Sequence, residues 1–252
     1  MDTQMTGQGI QSLEHGINII KKVNEANKPL SITEISDMCE MSKSKLHRYL
    51  TSLCRTGFLQ RNSSLQYSLG PALLAISNKA AKSTNIADLA RPTLIKLREL
   101  LNETVFLSIW GGNGPYPIEI EENRRQITIG IQVGYKTSTV QTTSGRLFAA
   151  FLPEDITKDI LQKELLENNF DADVFGKELI KIQKFGYSVT EESLIPGIVA
   201  VGCPVFGKNN KIVATISIVG IKDILDTSDN SYLIKLLKKE CSELSVTLQS
   251  SE

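Results

Sequence analysis

The chain is poor in the residues that build metal and redox centres. Its 252 residues include only two histidines and four cysteines. Cys39, Cys54, Cys203 and Cys241 lie far apart without a C-x-x-C pair, and only His15 and His47 are present to help them, so a zinc site is disfavoured. Export and membrane signals are missing as well. The start, Met1 to Gly9, is polar and expected to be flexible, and no run reaches the ~18 apolar residues that a span requires. These absences point to a cytoplasmic protein with free thiols and no membrane partner. Net charge is also absent, since 28 Lys and Arg balance 28 Asp and Glu. The most informative gap is local. From Met41 through Ala87 there is no Asp or Glu, whereas Lys43, Lys45, Arg48, Arg55, Arg61, Lys79 and Lys82 all fall in that stretch. A basic segment inside a neutral chain suggests a face for a polyanion.

What is present suits two folded units. The length exceeds the ~100–200 residues of one domain, and the chain is 41% hydrophobic and 22% charged, which is ordinary globular usage. Leu13, Ile17, Ile20 and Val23 recur at helical spacing until Asn27-Lys28-Pro29 interrupts them. Ser31-Ile32-Thr33-Glu34 then has the S-x-x-E pattern of a capping box and opens a second helix, expected to turn Ile32, Ile35 and Met38 inward. After a tight Cys39-Glu40-Met41 turn, Ser42 is placed to cap a third helix with the apolar stripe Leu46, Leu50 and Leu53. Two short helices joined this way form a helix-turn-helix.

Beyond Gly57, Phe58–Arg61 and Leu65–Leu69 flank Asn62-Ser63-Ser64 and read as a small hairpin, the wing. Gly70-Pro71 starts an alanine-rich helix running to about Asn85, and a second helix from about Ile86 to Leu101 contains Pro92. After Asn102 the period changes. Strands are expected at Val105–Trp110, Tyr116–Glu121, Thr128–Val133, Val199–Phe206 and Ile212–Val219, with helices at Gly145–Phe151, Pro153–Lys163, Asp173–Phe185 and Tyr232–Leu248. Gly207-Lys208-Asn209-Asn210 suits an antiparallel hairpin. The fold class is α+β. Residues 10–70 form a winged helix-turn-helix, 71–87 a helical linker, and 88–252 an α+β domain around a largely antiparallel sheet.

The third helix carries the chemistry. Lys43, Ser44, Lys45, His47, Arg48 and Thr51 face away from the apolar stripe, and each can hydrogen-bond a phosphate or a base edge. Such a helix fits the DNA major groove, with Ser42 at its start and its first N–H groups favouring phosphate. Arg61, Asn62 and Ser63 on the wing are placed for the backbone or the minor groove.

The order of further motifs resembles the IclR family of bacterial transcription regulators. Within the first unit these are Leu13, Pro29-Leu30, Ser42-Lys43-Ser44, His47-Arg48-Tyr49-Leu50 and Tyr67-Ser68-Leu69-Gly70. Farther on come Leu89-Ala90-Arg91-Pro92, Asn102-Glu103-Thr104-Val105, Ser144-Gly145-Arg146, Gly186-Tyr187-Ser188-Val189, Pro196-Gly197 and Cys203-Pro204-Val205-Phe206. The resemblance spans about residues 10–248. It implies a GAF-like C-terminal domain, a homodimer or homotetramer on a double-stranded operator, and a small organic effector. It also implies an effector site at Thr143, Ser144 and Gly145, at Thr190 on the strand after the G-Y-S motif, and at Ala200, Ser217 and Val219 on the final hairpin. The chain departs from the family there: Thr190 stands where an acid is common, Ala200 where cysteine is, and Val219 where serine is. Each change removes polarity, so an aromatic or otherwise larger carboxylic acid is expected in preference to a two- or three-carbon oxoacid.

Other functions find less support. No nucleophile–base pair, G-x-S-x-G or Walker A pattern occurs, and Gly111–Pro115 joins two strands as a turn without opening a helix, so neither catalysis nor a cofactor is expected. The alternative is an architectural DNA-binding protein with a vestigial sensor, though ~150 residues of near-neutral α+β domain is more than phosphate binding requires.

Overall fold

The computed structural model describes residues 9–26, 28–76, 86–126 and 128–250. The chain divides into two compact units, Met1–Thr84 and Asn85–Glu252.

In the first unit, α1 (Gln11–Glu25), α2 (Ile32–Met38) and α3 (Lys43–Arg55) are followed by a hairpin of β1 (Leu59–Arg61) and β2 (Tyr67–Leu69). Ser31 and Glu34 complete the capping box: the Ser31 N–H donates to Glu34 Oε2 at 2.7 Å and the Glu34 N–H to Ser31 Oγ at 3.3 Å. Leu30 and Tyr67 exchange backbone hydrogen bonds of 2.9 and 2.7 Å, so the segment entering α2 becomes a third rung beside the wing. The core joins Ile19, Val23, Ile35, Leu46, Leu50 and Leu59.

Three local expectations need correction. Leu13 and Ile17 are 62% and 43% exposed, because α1 packs through its later turns at Ile19 and Val23. Met38 lies outward at the end of α2, whose inward face is Ile35 and Ser36; the Ser36 hydroxyl donates to the Met41 carbonyl at 2.6 Å and closes the turn. Ser42 occupies the cap position of α3, but its side chain makes no capping bond and sits 3.4 Å from Ser44 Oγ instead.

After β2 the backbone is helical over 71–76; the remainder of the expected alanine-rich helix, 77–85, lies outside the described residues. The second unit opens with α4 (Ile86–Leu101). Then come β3 (Thr104–Trp110), β4 (Pro115–Glu121), α5 (Thr143–Phe151), α6 (Glu154–Glu167), α7 (Ala172–Phe185), β5 (Ser188–Glu191), β6 (Ile198–Phe206), β7 (Ile212–Ile221) and α8 (Tyr232–Ser250). The five strands form one antiparallel sheet in the order β4-β3-β7-β6-β5.

Strand alternation gives this sheet two unlike faces. Val105, Leu107, Ile216, Ile218, Val201, Cys203 and Val205 point to one side and form a core with Ala90, Leu94 and Leu97 of α4 and Leu233, Leu237, Cys241 and Leu244 of α8. The opposite face is mixed, with Thr104, Ser108, Thr215, Ser217 and Gly202 beside Phe106 and Val219, and α5 covers that side, backed by α6 and α7.

No strand forms at 128–133. The stretch alternates like a strand, yet the chain meets the outer edge of β4 only afterwards, where the Gly134 N–H donates to Pro117 O at 2.8 Å and the Thr137 N–H to Pro115 O at 2.9 Å. Gly134 takes a φ of +81°, a bend that an ordinary side chain resists, and this redirects the segment before a ladder is established.

Candidate functional site

The outward face of α3 is open. Ser42, Lys43, Ser44, Lys45, His47, Arg48 and Thr51 are all exposed, as are Arg61, Asn62 and Ser63 on the wing, while Leu46 and Leu50 are fully buried behind them. Lys43, Arg48 and Arg61 form no ion pair among the described residues. Lys45 lies 3.3 Å from His15 Nε2 on α1, and the His15 ring in turn meets Tyr49 edge-on. Two of the expected contact residues also hold local structure. The Thr51 hydroxyl donates to the His47 carbonyl at 2.8 Å. Asn62 shapes the wing tip: its Oδ1 accepts from the Gln66 N–H at 2.9 Å and its amide donates to the Gln66 side chain at 3.2 Å.

The second candidate site lies on the hydroxyl-rich face of the five-stranded sheet. Residues directly paired across antiparallel strands share a face. Thr190 pairs with Ala200, Ala200 with Val219, and Val219 with Thr104, so three of the expected effector residues stand in one row across four strands. The next row is Ser188, Gly202, Ser217 and Phe106, and the row after it is Pro204, Thr215 and Ser108.

The first turn of α5 sits on these rows. Thr143 donates to Ser217 Oγ at 3.0 Å, and the Ser144 hydroxyl lies 3.1 Å from the same oxygen and donates to Ser108 Oγ at 3.3 Å. All four side chains are buried. The approach is close because Gly202 has no side chain: a Cβ there would lie 2.9 Å from Ser217 Oγ and 3.0 Å from both Thr143 Cβ and Leu147 Cδ1. The Thr142 hydroxyl caps the helix by accepting from the Gly145 N–H at 3.1 Å. Thr143, Ser144, Gly145 and Ser217 are therefore brought together, and the Thr190–Ala200–Val219–Thr104 row continues the same face.

This wall is less apolar than its departures from the family pattern suggest. Thr104, Ser108, Ser188 and Thr215 all contribute hydroxyls to it, and the Ser188 and Thr215 hydroxyls are buried without a hydrogen-bond partner among the described residues. An unpaired buried hydroxyl is uncommon and unfavourable. Thr104 and Ser188 fall within the family-like motifs without being assigned to the site, and Ser108 and Thr215 fall outside them. The signal lay in β3 and β7, where Thr104, Phe106 and Ser108 alternate with Val105, Leu107 and Ile109, and Thr215, Ser217 and Val219 with Ala214, Ile216 and Ile218.

Arg146 ties the site's surroundings together. It is 6% exposed; its Nε donates to the Val140 carbonyl at 2.8 Å, one terminal nitrogen pairs with Glu178 of α7, and the other reaches Ser193 Oγ at 3.4 Å.

Comparison with known proteins agrees with this architecture. Residues 12–63 match the family model described as the IclR helix-turn-helix domain, and residues 78–246 match that of the bacterial transcriptional regulator IclR C-terminal domain. The HTH-type transcriptional regulator KipR of Bacillus subtilis is 28% identical over 225 residues, covering 87% of this chain and 90% of KipR. The crystal structure of Pseudomonas aeruginosa HmgR superposes with a TM-score of 0.76 at 29% identity, covering 95% of this chain and all of that one. An IclR homologue from Microbacterium hydrocarbonoxydans, solved in complex with 4-hydroxybenzoate, shares the fold at a TM-score of 0.79 and 14% identity, over 94% and 98% of the two chains. With an exposed, acid-free third helix in one unit, a hydroxyl-bearing sheet face in the other, and both family models matched in order, the chain belongs to the IclR family of bacterial transcriptional regulators.

Proposed function

We propose that the chain binds a specific operator through α3 and the wing, and that a small carboxylic acid at the start of α5 changes its affinity for that operator. The reading helix contributes Ser42, Lys43, Ser44, Lys45, His47, Arg48 and Thr51, and the wing contributes Arg61, Asn62 and Ser63. The observation that carries this half is the exposed cationic face in a stretch, Met41 to Ala87, that holds no Asp or Glu. A homodimer or homotetramer matches such a reader to a palindromic site.

The effector is placed against Thr143, Ser144 and Gly145 on one side and Thr190, Ala200, Ser217 and Val219 on the other. Helix-start N–H groups favour an anion, although that of Gly145 already donates to the Thr142 hydroxyl. The row's two central positions, Ala200 and Val219, give an apolar body a surface, and Thr190 and Thr104 at its ends supply hydroxyls for a ring substituent. A hydroxylated aromatic acid fits that pattern better than a bare oxoacid, and 4-hydroxybenzoate, the ligand of the Microbacterium relative, is a natural first probe.

The test is a titration of the full chain with DNA from upstream of its own gene and with random DNA over a salt series. A specific regulator keeps a preference of roughly 10³ or more at physiological salt. Equal binding to both DNAs overturns the operator reading in favour of an architectural protein. Calorimetry with aromatic acids and small oxoacids in parallel tests the effector reading, which fails if oxoacids bind tightly and aromatic acids do not.

A further inference from the structure

One carboxylate gathers most of the donors of the segment leading into α5. α6 presents Thr157 and Glu164 as its buried residues, so an acid stands where a helix would ordinarily pack an aliphatic side chain. Glu164 accepts from the backbone N–H groups of Thr139 at 2.6 Å and Val140 at 3.3 Å, from the hydroxyls of Ser138 at 2.8 Å and Thr139 at 3.4 Å, and from the Lys136 ammonium at 3.0 Å. Consecutive amides, hydroxyls and a cation around one oxyanion are the composition of an anion-binding concavity. The Lys136 side chain is 38% exposed, and such a pair contributes little by itself. The amides matter more, because without the carboxylate they would be buried and unpaired.

Thr139 also rests on the first turn of α5. A Cβ at Gly145 would lie 2.4 Å from both Thr139 Cα and its carbonyl oxygen, so the two backbones touch only because residue 145 is glycine. From the other side, Arg146 holds the Val140 carbonyl. Moving 138–140 therefore moves Thr143 and Ser144, and with them their bonds to Ser108 and Ser217.

We propose that residues 136–140 form a carboxylate-binding nest that the chain fills with its own Glu164, and that the filled nest fixes where the start of α5 meets the sheet. Glu164 is thus a positioning residue for the effector wall, acting through Thr139 and Gly145. That consequence rests on the effector reading above; the nest does not. Burial pushes the Glu164 carboxyl up, but the donors of Lys136, Ser138 and Thr139 together hold it below the ordinary carboxylate range, consistent with a charged occupant.

The experiment uses the full chain as wild type, Glu164→Gln and Glu164→Ala, with hydrogen exchange at the Thr139 and Val140 amides in sodium acetate and in sodium chloride of equal ionic strength. Amides of α8 such as Leu237 report the fold. Exchange at 139 and 140 should quicken by about tenfold or more in Glu164→Ala and by less in Glu164→Gln, which keeps the volume and one acceptor, while α8 is unchanged. Acetate should restore protection in Glu164→Ala and do nothing to wild type. If Glu164→Ala exchanges like wild type, or if acetate protects no better than chloride, the nest is wrong. Should Glu164→Ala fail to fold, wild-type exchange rates in Glu164→Gln would overturn it equally. Calorimetry with 4-hydroxybenzoate then separates the two readings. Weaker binding to Glu164→Gln than to wild type supports the positioning role, and equal binding removes it. No binding of any carboxylic acid to wild type defeats the effector reading and leaves the nest to be decided by exchange.

Discussion

Arg48 and Lys45 share the open side of α3 but differ in what their removal should reveal. Arg48 has no ion-pair partner among the described residues, whereas Lys45 leans on His15. If Arg48 pairs bidentately with a base, Arg48→Ala should cost about 1–3 kcal/mol and relax the preference at that base pair; if Lys45 instead holds a phosphate, Lys45→Ala should weaken all sequences alike and lower the salt slope by about one. Unchanged affinity in both variants, measured by fluorescence anisotropy, removes α3 as the reader. Glu34 makes a second prediction at this scale. The Lys28 ammonium and the Ser31 N–H and hydroxyl lower its carboxyl from 4.5 to about 2. A depressed folded value means that this stabilisation is complete above 4.5, begins to fade as pH falls below it, and is gone once pH has passed about 2. Titration followed by carboxyl-carbon NMR should find Glu34 well below the ordinary glutamate range, and Ser31→Ala should raise its value and destabilise the first unit by about 1 kcal/mol. An ordinary Glu34 titration would refute the capping box in solution.

Among the elements, α5 is the one whose seat depends most on single atoms. Gly145→Ala would push a methyl into the Thr139 backbone, which cannot rotate away as a side chain can. The substitution should destabilise the second unit by about 1–3 kcal/mol, the usual cost of overpacking, and leave the first unit's unfolding unchanged; calorimetric scanning that finds both transitions at wild-type temperature contradicts it. The location of α5 was readable in advance, from Gly145 to Phe151 by periodicity and from Ser144-Gly145-Arg146 by resemblance. Its role in covering a polar face was not, because the hydroxyls that meet it come from β3 and β7, some 36 and 73 positions away in the chain. The same limit explains the strand expected at 128–133. Alternation records a preference for extended backbone, but a strand needs a partner edge, and only the assembled sheet shows that the edge of β4 is met later, at Gly134 and Thr137. Helices α2 and α3 were legible because the capping box of α2, the turn and the apolar stripe of α3 are all local; the outward placement of Met38 was missed because one residue of phase decides which side a short helix buries.

For the whole molecule, the question is whether a ligand in one unit alters DNA binding by the other. A ligand shifts an equilibrium only by its differential affinity for two arrangements, and the coupling is reciprocal. If an effector lowers operator affinity by some factor within the ~5–150-fold usual for allostery, saturating operator must lower effector affinity by the same factor. Variants can probe the site without breaking the scaffold, but the choice matters. Ser144→Pro removes an N–H donor, yet it also strips the partner from Ser108 and weakens the cluster at Ser217, so its effects would mix ligand binding with folding. Val219→Ser is cleaner, since Val219 stands in the row between Ala200 and Thr104 and outside that hydroxyl cluster. It should shift preference from aromatic acids toward smaller polar ones while leaving operator affinity without ligand unchanged. The full cycle is measurable: effector affinity with and without operator, and operator affinity with and without effector, in wild type and in Val219→Ser. In each protein the two ratios must agree. A ligand that binds with equal strength in the presence and absence of operator is not the effector, and a ligand whose affinity and coupling are identical in wild type and in Val219→Ser acts somewhere other than the wall of Thr143, Ser144, Thr190, Ala200, Ser217 and Val219.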